Sequence, residues 1–453
     1  MTRIDSRAIV SADKRPAAAR AGGDSSGAFS SDPSRQRLAR LVCFAVAVFG
    51  WANLAILGFV GLSKDPRTAG FDLQLLLDAG KRVAAGESPY DFNAVAHGLE
   101  ARDLFYSYPP IVAQFLAPLS SFPAWVILAG WCLGSAVGLA FVAGFIARSP
   151  VGRSGSGRPA DSFDVALVAT AAAPFFFPFL VALLFGNMDA WFPFLFGVVV
   201  LILACGRAAP SRAASVAGGI ALAIASVVKL HPGSLAVWLA VRWHRGWEPR
   251  SGLATSIAAA VAAGAALLAA SLVVGGIGPW RDYVDYLRVT GNADLATWVN
   301  IGPASVLALL AGDNNLAHVL AVVFAVAAVV GTVAAARLVR DPLLSLSCAI
   351  VASLIVLPVT WYHYPVVLIP IALAAWLRSR GTPDARRVTR ALLGAYVVAD
   401  AAILFPVVLW LGVALLFTAV SWSRPSVPDP AAEARLREPV SPADGTAAMP
   451  ATR

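Results

Sequence analysis

Charge is scarce in this sequence. Only 13% of its 453 residues are Asp, Glu, Lys or Arg, where soluble domains usually carry about a quarter. With 58% hydrophobic residues, the chain has too little polar surface to face water, which excludes a soluble globular enzyme. Cysteine is equally sparse: Cys43, Cys132, Cys205 and Cys348 stand singly inside apolar runs. None has the CxxC spacing of a zinc or redox centre, so they read as core residues. Strict alternation of apolar and polar residues is missing, which excludes a transmembrane barrel. No internal repeat is apparent, which weakens a transporter assembled from inverted repeats.

What the sequence does have is a succession of apolar runs near the length needed to cross hydrocarbon, among them Leu41 to Gly61, Ala124 to Ile146, Ser251 to Gly275 and Leu316 to Ala336. Each predicts a helix, because a helix satisfies its own backbone polar groups in lipid. The whole pattern predicts an all-α, polytopic transmembrane bundle of about twelve spans. The first run is too long for a signal-peptide core and is expected to remain as a span. Tyr108 to Ser121 is different: at about 1.5 Å per residue it reaches only some 20 Å, and Pro109 and Pro110 sit at its start. It reads as an outer-surface or re-entrant helix, and Ile301 to Leu310 as another such piece. Gly233 to Val241 is short, and Val388 to Trp422 fits either a tight hairpin at Pro406 or one long helix. Residues 1–37 and 424–453 lack periodicity and read as disordered cytoplasmic tails around a membrane domain at 38–423.

Basic residues set the orientation. With Arg35, Arg37 and Arg40 in the cytoplasm, the later inner loops carry Arg148, Arg153 and Arg158, then Arg207 and Arg212, then Arg242, Arg245 and Arg250, then Arg337 with Arg340, then Arg378 to Arg390. The net charge of +9 is thereby explained by topology, with no patch for nucleic acid. Two longer loops, about 62–122 and about 276–300, fall outside. The polar turns Gly186 to Asp189, Lys229 to His231 and Thr360 to Tyr364 share that face.

The candidate chemistry lies there. Leu73, Leu76, Leu77, Val83 and Ala84 keep helical spacing, predicting a helix on the membrane surface that holds Asp72 at the interface. A carboxylate there can act as general base toward a hydroxyl attacking a lipid-borne substrate; the plain alternative is an acidic residue favoured by a helix N-terminus. Lys229 and His231 put a cation and an imidazole where a headgroup phosphate would lie, or the lysine simply snorkels. Asn187 and Asp189 can hydrogen-bond sugar hydroxyls, or form a plain polar turn. Trp361, Tyr362 and Tyr364 suit an interfacial aromatic belt, which leaves His363 without an explanation. Arg281, Asp282, Arg288, Asn292 and Asn300 populate the second outer loop, as an acceptor entry or as ordinary solvated charge.

In this order the pieces resemble glycosyltransferase family 87, the polyprenyl-phosphate-mannose-dependent mannosyltransferases of GT-C fold. The similarity spans most of Phe71 to Pro370. It rests on Asp72, Ala79, Gly86 and Tyr90; on Tyr106-Ser107-Tyr108-Pro109-Pro110 with Pro118; on Gly186-Asn187-Met188-Asp189 where the family has Gly-Gln-x-Asn; on Lys229 with Pro232; and on Pro358, Trp361 and His363. The resemblance implies transfer of mannose, or a related polyprenyl-linked sugar such as arabinofuranose, to a hydroxyl of a lipid or polysaccharide acceptor, with inversion. It implies Asp72 as general base, Lys229, His231 and His363 on the donor phosphate, and Tyr90, Tyr106, Tyr108, Asn187, Asp189 and Trp361 on sugar or acceptor. No Asp-x-Asp pair is present, so no metal or other cofactor is demanded. The expected location is a bacterial inner membrane, with both termini cytoplasmic and the site on the outer face.

Two other classes fit the same loops. A flippase or transporter for a lipid-linked sugar should keep ionisable groups near mid-span; here they sit at helix ends, with Asp400 the clearest exception. A ligase or polymerase of lipid-linked polysaccharide should show a large outer loop rich in Arg and His, and the outer loops here are modest.

Overall fold

The computed structural model describes residues 32–64, 69–92, 106–152, 160–203, 211–246, 250–290, 295–402, 404–405 and 407–423. The expected tails lie outside these residues except at 32–37, where the first helix already begins at Pro33. Arg153, Arg158, Arg207, Asn292, Pro406 and Cys205 also lie outside them.

Among the described residues all regular structure is helical. In chain order the helices are α1 (Pro33–Lys64), α2 (Phe71–Ala84), α3 (Pro110–Leu116), α4 (Ala124–Arg148), α5 (Ser162–Ala172), α6 (Phe177–Leu184), α7 (Phe192–Leu203), α8 (Arg212–Val228) and α9 (Leu235–Arg245). They continue with α10 (Arg250–Gly275), α11 (Gly278–Thr290), α12 (Pro303–Ala311), α13 (Asn314–Leu338), α14 (Pro342–Ile355), α15 (Ile369–Ser379), α16 (Ala385–Ala401) and α17 (Val408–Trp422). Four of them, α1, α4, α10 and α13, are long and apolar enough to cross a membrane alone. They coincide with the four runs singled out in the sequence. A fifth crossing results if α5 and α6, bent by 75° at a short break, count as one span.

The apolar pattern counts about twelve runs, and the difference arises where the remaining apolar helices are shortened to 10–17 residues. Prolines account for several breaks, since each removes an N–H and clashes with the preceding turn: Pro174 separates α5 from α6, and Pro232 and Pro365 open the short 3₁₀ turns His231–Ser234 and Tyr364–Leu368. The piece at Pro110–Leu119 is a short helix, as its length requires. The Val388 to Trp422 stretch is a hairpin: α16 and α17 pack side by side, close enough that a Cβ on Gly412 would lie 3.2 Å from the Ala395 carbonyl oxygen.

The polar groups segregate to the two ends of the bundle. At one end Arg40 pairs with Asp161 at 2.7 Å and with Asp164 at 2.6 Å, Arg378 pairs with Asp341, and Arg242 donates to the Val339 carbonyl. These are the loops assigned to the inner face. At the other end the turns assigned outward meet one another, and the site lies among them. Helix α2 differs from expectation in what covers it. Its apolar face, Leu73, Leu76 and Leu77, is at most 2% exposed. That face packs on the protein: Gly80 lies against the Leu116–Ala117 backbone, and Leu73 and Leu77 cluster with Leu128 of α4.

Candidate active site

Asp72 sits in the first turn of α2, whose N-terminus is stitched to the turn after α6. The Gly70 amide donates to the Leu184 carbonyl at 2.7 Å and the Leu73 amide to the Phe185 carbonyl at 3.0 Å. Gly186 makes this approach possible. Its φ is +66°, in the region that favours glycine, and a Cβ there would stand 2.7 Å from the Leu73 Cβ. Asn187 follows. Its side-chain amide donates to Asp72 Oδ2 at 2.7 Å, while its own Oδ1 accepts from the Asp189 amide at 2.8 Å. Trp131 fixes the backbone beneath by donating to the Asn187 carbonyl at 3.0 Å.

Asp189 is fully buried and carries the second half of the site. Lys229 Nζ lies 2.9 Å from both of its carboxylate oxygens. The same ammonium stands 4.0 Å from the centre of the Tyr364 ring and 5.6 Å from that of Tyr108, an aromatic cradle suited to a desolvated cation. His363 brings Nε2 to 3.3 Å from Asp189 Oδ2 without hydrogen-bond geometry, so among the described residues this buried nitrogen has no hydrogen-bond partner.

Burial is the main influence on charge here. It lifts the Asp72 carboxyl from 3.8 to about 6, against the opposing effects of the Asn187 hydrogen bond and the Lys229 charge. Burial also pushes the Asp189 carboxyl up while Lys229 pulls it back. Two contacts of 2.9 Å in place of water make the charged pair the form that the geometry favours. Burial first, then Lys229, holds His363 and His231 well below the usual histidine range. Both are therefore neutral imidazoles near pH 7, able to donate one N–H each.

The residues chosen from sequence do not all converge. Asp72, Asn187, Asp189, Lys229 and His363 form one cluster, with Tyr108 at its edge. His231 stands behind Tyr364, its ring stacked 5.8 Å away and its Nδ1 3.3 Å from Ser353 Oγ, so it supports the cradle from outside. The hydroxyls of Tyr90 and Tyr106 are committed to backbone: Tyr90 donates to the Tyr108 carbonyl and Tyr106 to the Pro109 carbonyl, both at 2.8 Å. Tyr90 also stacks with Tyr283 and Tyr286 of α11. Trp361 is half-buried, and its carbonyl accepts from the Tyr364 amide at 3.0 Å.

Sequence reasoning undervalued two residues. Tyr364 holds the lysine through its ring face. Asn300 ties the second outer loop to the Pro358–Thr360 turn with four hydrogen bonds of 2.9–3.1 Å, to Leu295, Pro358, Gly302 and Thr360. Only the clustering of aromatics around His363, and an Asn two residues before a Gly-Pro pair, marked them in the sequence.

Broken apolar helices bring a carboxylate, an amide and an ammonium together in one buried cluster of an apolar, all-helical protein. The model of glycosyltransferase family 87 matches residues 106–360, more than half of the chain, and the protein belongs to that family. It is a membrane glycosyltransferase. The matched stretch contains Asn187, Asp189 and Lys229, while Asp72 precedes it and His363 follows it. No curated protein and no solved structure matches the chain.

Proposed function

We propose that the protein moves a sugar, mannose on the family pattern, from a polyprenyl-phosphate donor to a hydroxyl of a lipid or polysaccharide acceptor, with inversion. One observation carries this reading: Asp72, half-buried and raised to about 6, is held by Asn187 beside the Lys229–Asp189 pair. A carboxylate of that affinity is ionised at neutral pH yet basic enough to accept a proton in the transition state.

Asp72 takes the proton of the acceptor hydroxyl as that oxygen bonds to the anomeric carbon. The bond from that carbon to the phosphate oxygen breaks on the opposite face, and polyprenyl phosphate leaves with the electron pair. Lys229 donates one hydrogen bond to Asp189 Oδ2 at 2.9 Å, and its ammonium turns a further N–H to the phosphate. His363 adds a neutral N–H. Both act on charge that grows as the leaving group departs. No metal enters the scheme. Tyr108, Asn187 and Asp189 line the space for the sugar, with Trp361 beside it.

The same reading takes the fold as a GT-C bundle of about twelve spans in a bacterial inner membrane. Both termini are cytoplasmic and the site faces outward, and the segregation of basic loops from the site supports this orientation. The test of the donor is transfer of labelled mannose from synthetic polyprenyl-phosphate-mannose, compared with a nucleotide-linked mannose, followed by NMR of the product anomer. Transfer from the lipid donor with inverted configuration supports the reading. Transfer from the nucleotide donor alone, or retained configuration, overturns it.

A further inference from the structure

Asp400 lies within a helix of the bundle and takes no part in the cluster around Asp72, so its purpose needs a separate account. It lies at the C-terminal end of α16, against the break between α5 and α6. That break leaves backbone groups without helical partners inside the bundle, where water is not at hand to satisfy them.

Three such groups can be followed one by one. Pro174 has no N–H, so the Thr170 carbonyl, four residues earlier, loses its donor; the Trp51 indole of α1 replaces it at 3.0 Å. The Phe176 amide turns to the Ala173 carbonyl at 3.1 Å and so does not return to the Ala172 carbonyl, to which the Tyr396 hydroxyl donates at 3.2 Å. The Phe177 amide, with the Ala173 carbonyl already taken, donates to Asp400 Oδ1 at 2.7 Å. Tyr396 and Asp400 are four residues apart and share one face of α16. The Tyr396 ring also packs 5.3 Å from that of Phe176. On the other side α1 approaches so closely that a Cβ on Gly50 would stand 2.9 Å from Phe175.

A break at which three backbone groups are met by side chains from other helices is a built bend. Its output is at the far end of α6, only eight residues long. There Phe185 accepts from the Leu73 amide and Asn187 meets Asp72.

We propose that Asp400 and Tyr396 are positioning residues for catalysis: they fix the angle of α6 at its break and thereby hold the Asn187 amide against Asp72. This rests on the reading of Asp72 as the base. It also gives Asp400 a fixed hydrogen-bonding task in place of the ion coupling a transporter would need.

The experiment compares Asp400→Ala, Asp400→Asn and Tyr396→Phe with wild type, all in full-length protein in matched membranes. The readouts are the pH profile of kcat/KM and hydrogen–deuterium exchange across 177–187. Asp400→Ala is expected to cut kcat/KM at least tenfold, to raise exchange in that segment, and to move the acidic limb upward as Asn187→Ala does, because the Asn187 hydrogen bond opposes the protonation of Asp72 that burial favours. The other groups facing Asp72, namely Lys229, Asp189 and Tyr108, are unchanged in this variant. Asp400→Asn keeps an oxygen acceptor for the Phe177 amide and should keep the wild-type limb. Tyr396→Phe keeps the ring contact and should shift the limb part of the way, which supplies a milder variant if Asp400→Ala fails to fold. Wild-type exchange and an unmoved limb in folded Asp400→Ala or in Tyr396→Phe overturn the proposal. If Asp72→Asn is fully active, the base assignment fails instead, while increased exchange at 177–187 in Asp400→Ala still reports the clamp.

Discussion

Asn187 donates a 2.7 Å hydrogen bond to Asp72 Oδ2, joining residues 115 positions apart in sequence. A hydrogen bond to a charged acceptor contributes about 1.5–3 kcal/mol, and here it favours the ionised carboxylate. Asn187→Ala should lower kcat/KM about tenfold at pH 7 and move the acidic limb of the profile to higher pH. A limb that stays in place would show that this amide does not control the base.

The wild-type profile itself should rise through about pH 6, where burial has placed the Asp72 carboxyl. The sign for stability follows from the same displacement. A carboxyl whose folded value exceeds its unfolded value of 3.8 favours the folded state below that value and loses this contribution as pH rises through about 6. Asp72→Asn should therefore be more thermostable than wild type at pH 8, by about 3 kcal/mol, with the difference vanishing toward pH 4. Melting in detergent at the two pH values measures it, and a variant less stable at pH 8 contradicts it.

Gly186→Ala should damage the site without touching a polar group. The substitution meets a φ of +66° and a Leu73 contact of 2.7 Å, which together cost on the order of 1–3 kcal/mol. Thermal midpoint and kcat should both fall, because α2 must retreat with Asp72 on it. Unchanged kcat would place the carboxylate's position under other control.

Removing Lys229 leaves Asp189 charged and enclosed. Lys229→Ala should destabilise the protein by about 3–5 kcal/mol. The double change Lys229→Met with Asp189→Leu should recover most of that stability and none of the transfer activity. Recovery of transfer by the double variant would remove both residues from the chemistry.

Much of this was legible in the sequence where the signal is local. The four apolar runs singled out in the sequence are the four described helices able to cross alone, and the spacing of Leu73, Leu76 and Leu77 marks α2 with Asp72 in its first turn. The basic loops pair with one another and the polar turns meet one another, in the two groups that the sequence suggested. What stayed hidden is tertiary. Nothing near Tyr364 in the chain shows that its ring carries Lys229, 135 positions earlier. The four bonds of Asn300 and the stacking of Tyr90 on Tyr283 depend on which loops meet in space. Periodicity also overstates helix length wherever proline interrupts an apolar run, as at Pro174.

The most direct measurement is sugar transfer by Asp72→Asn, in membranes matched for expression and with donor binding measured alongside. Asn is nearly isosteric with Asp but cannot accept the proton, so the account predicts loss of transfer by about a thousandfold or more with donor binding retained. Wild-type transfer by Asp72→Asn would contradict it and take the base away from this residue.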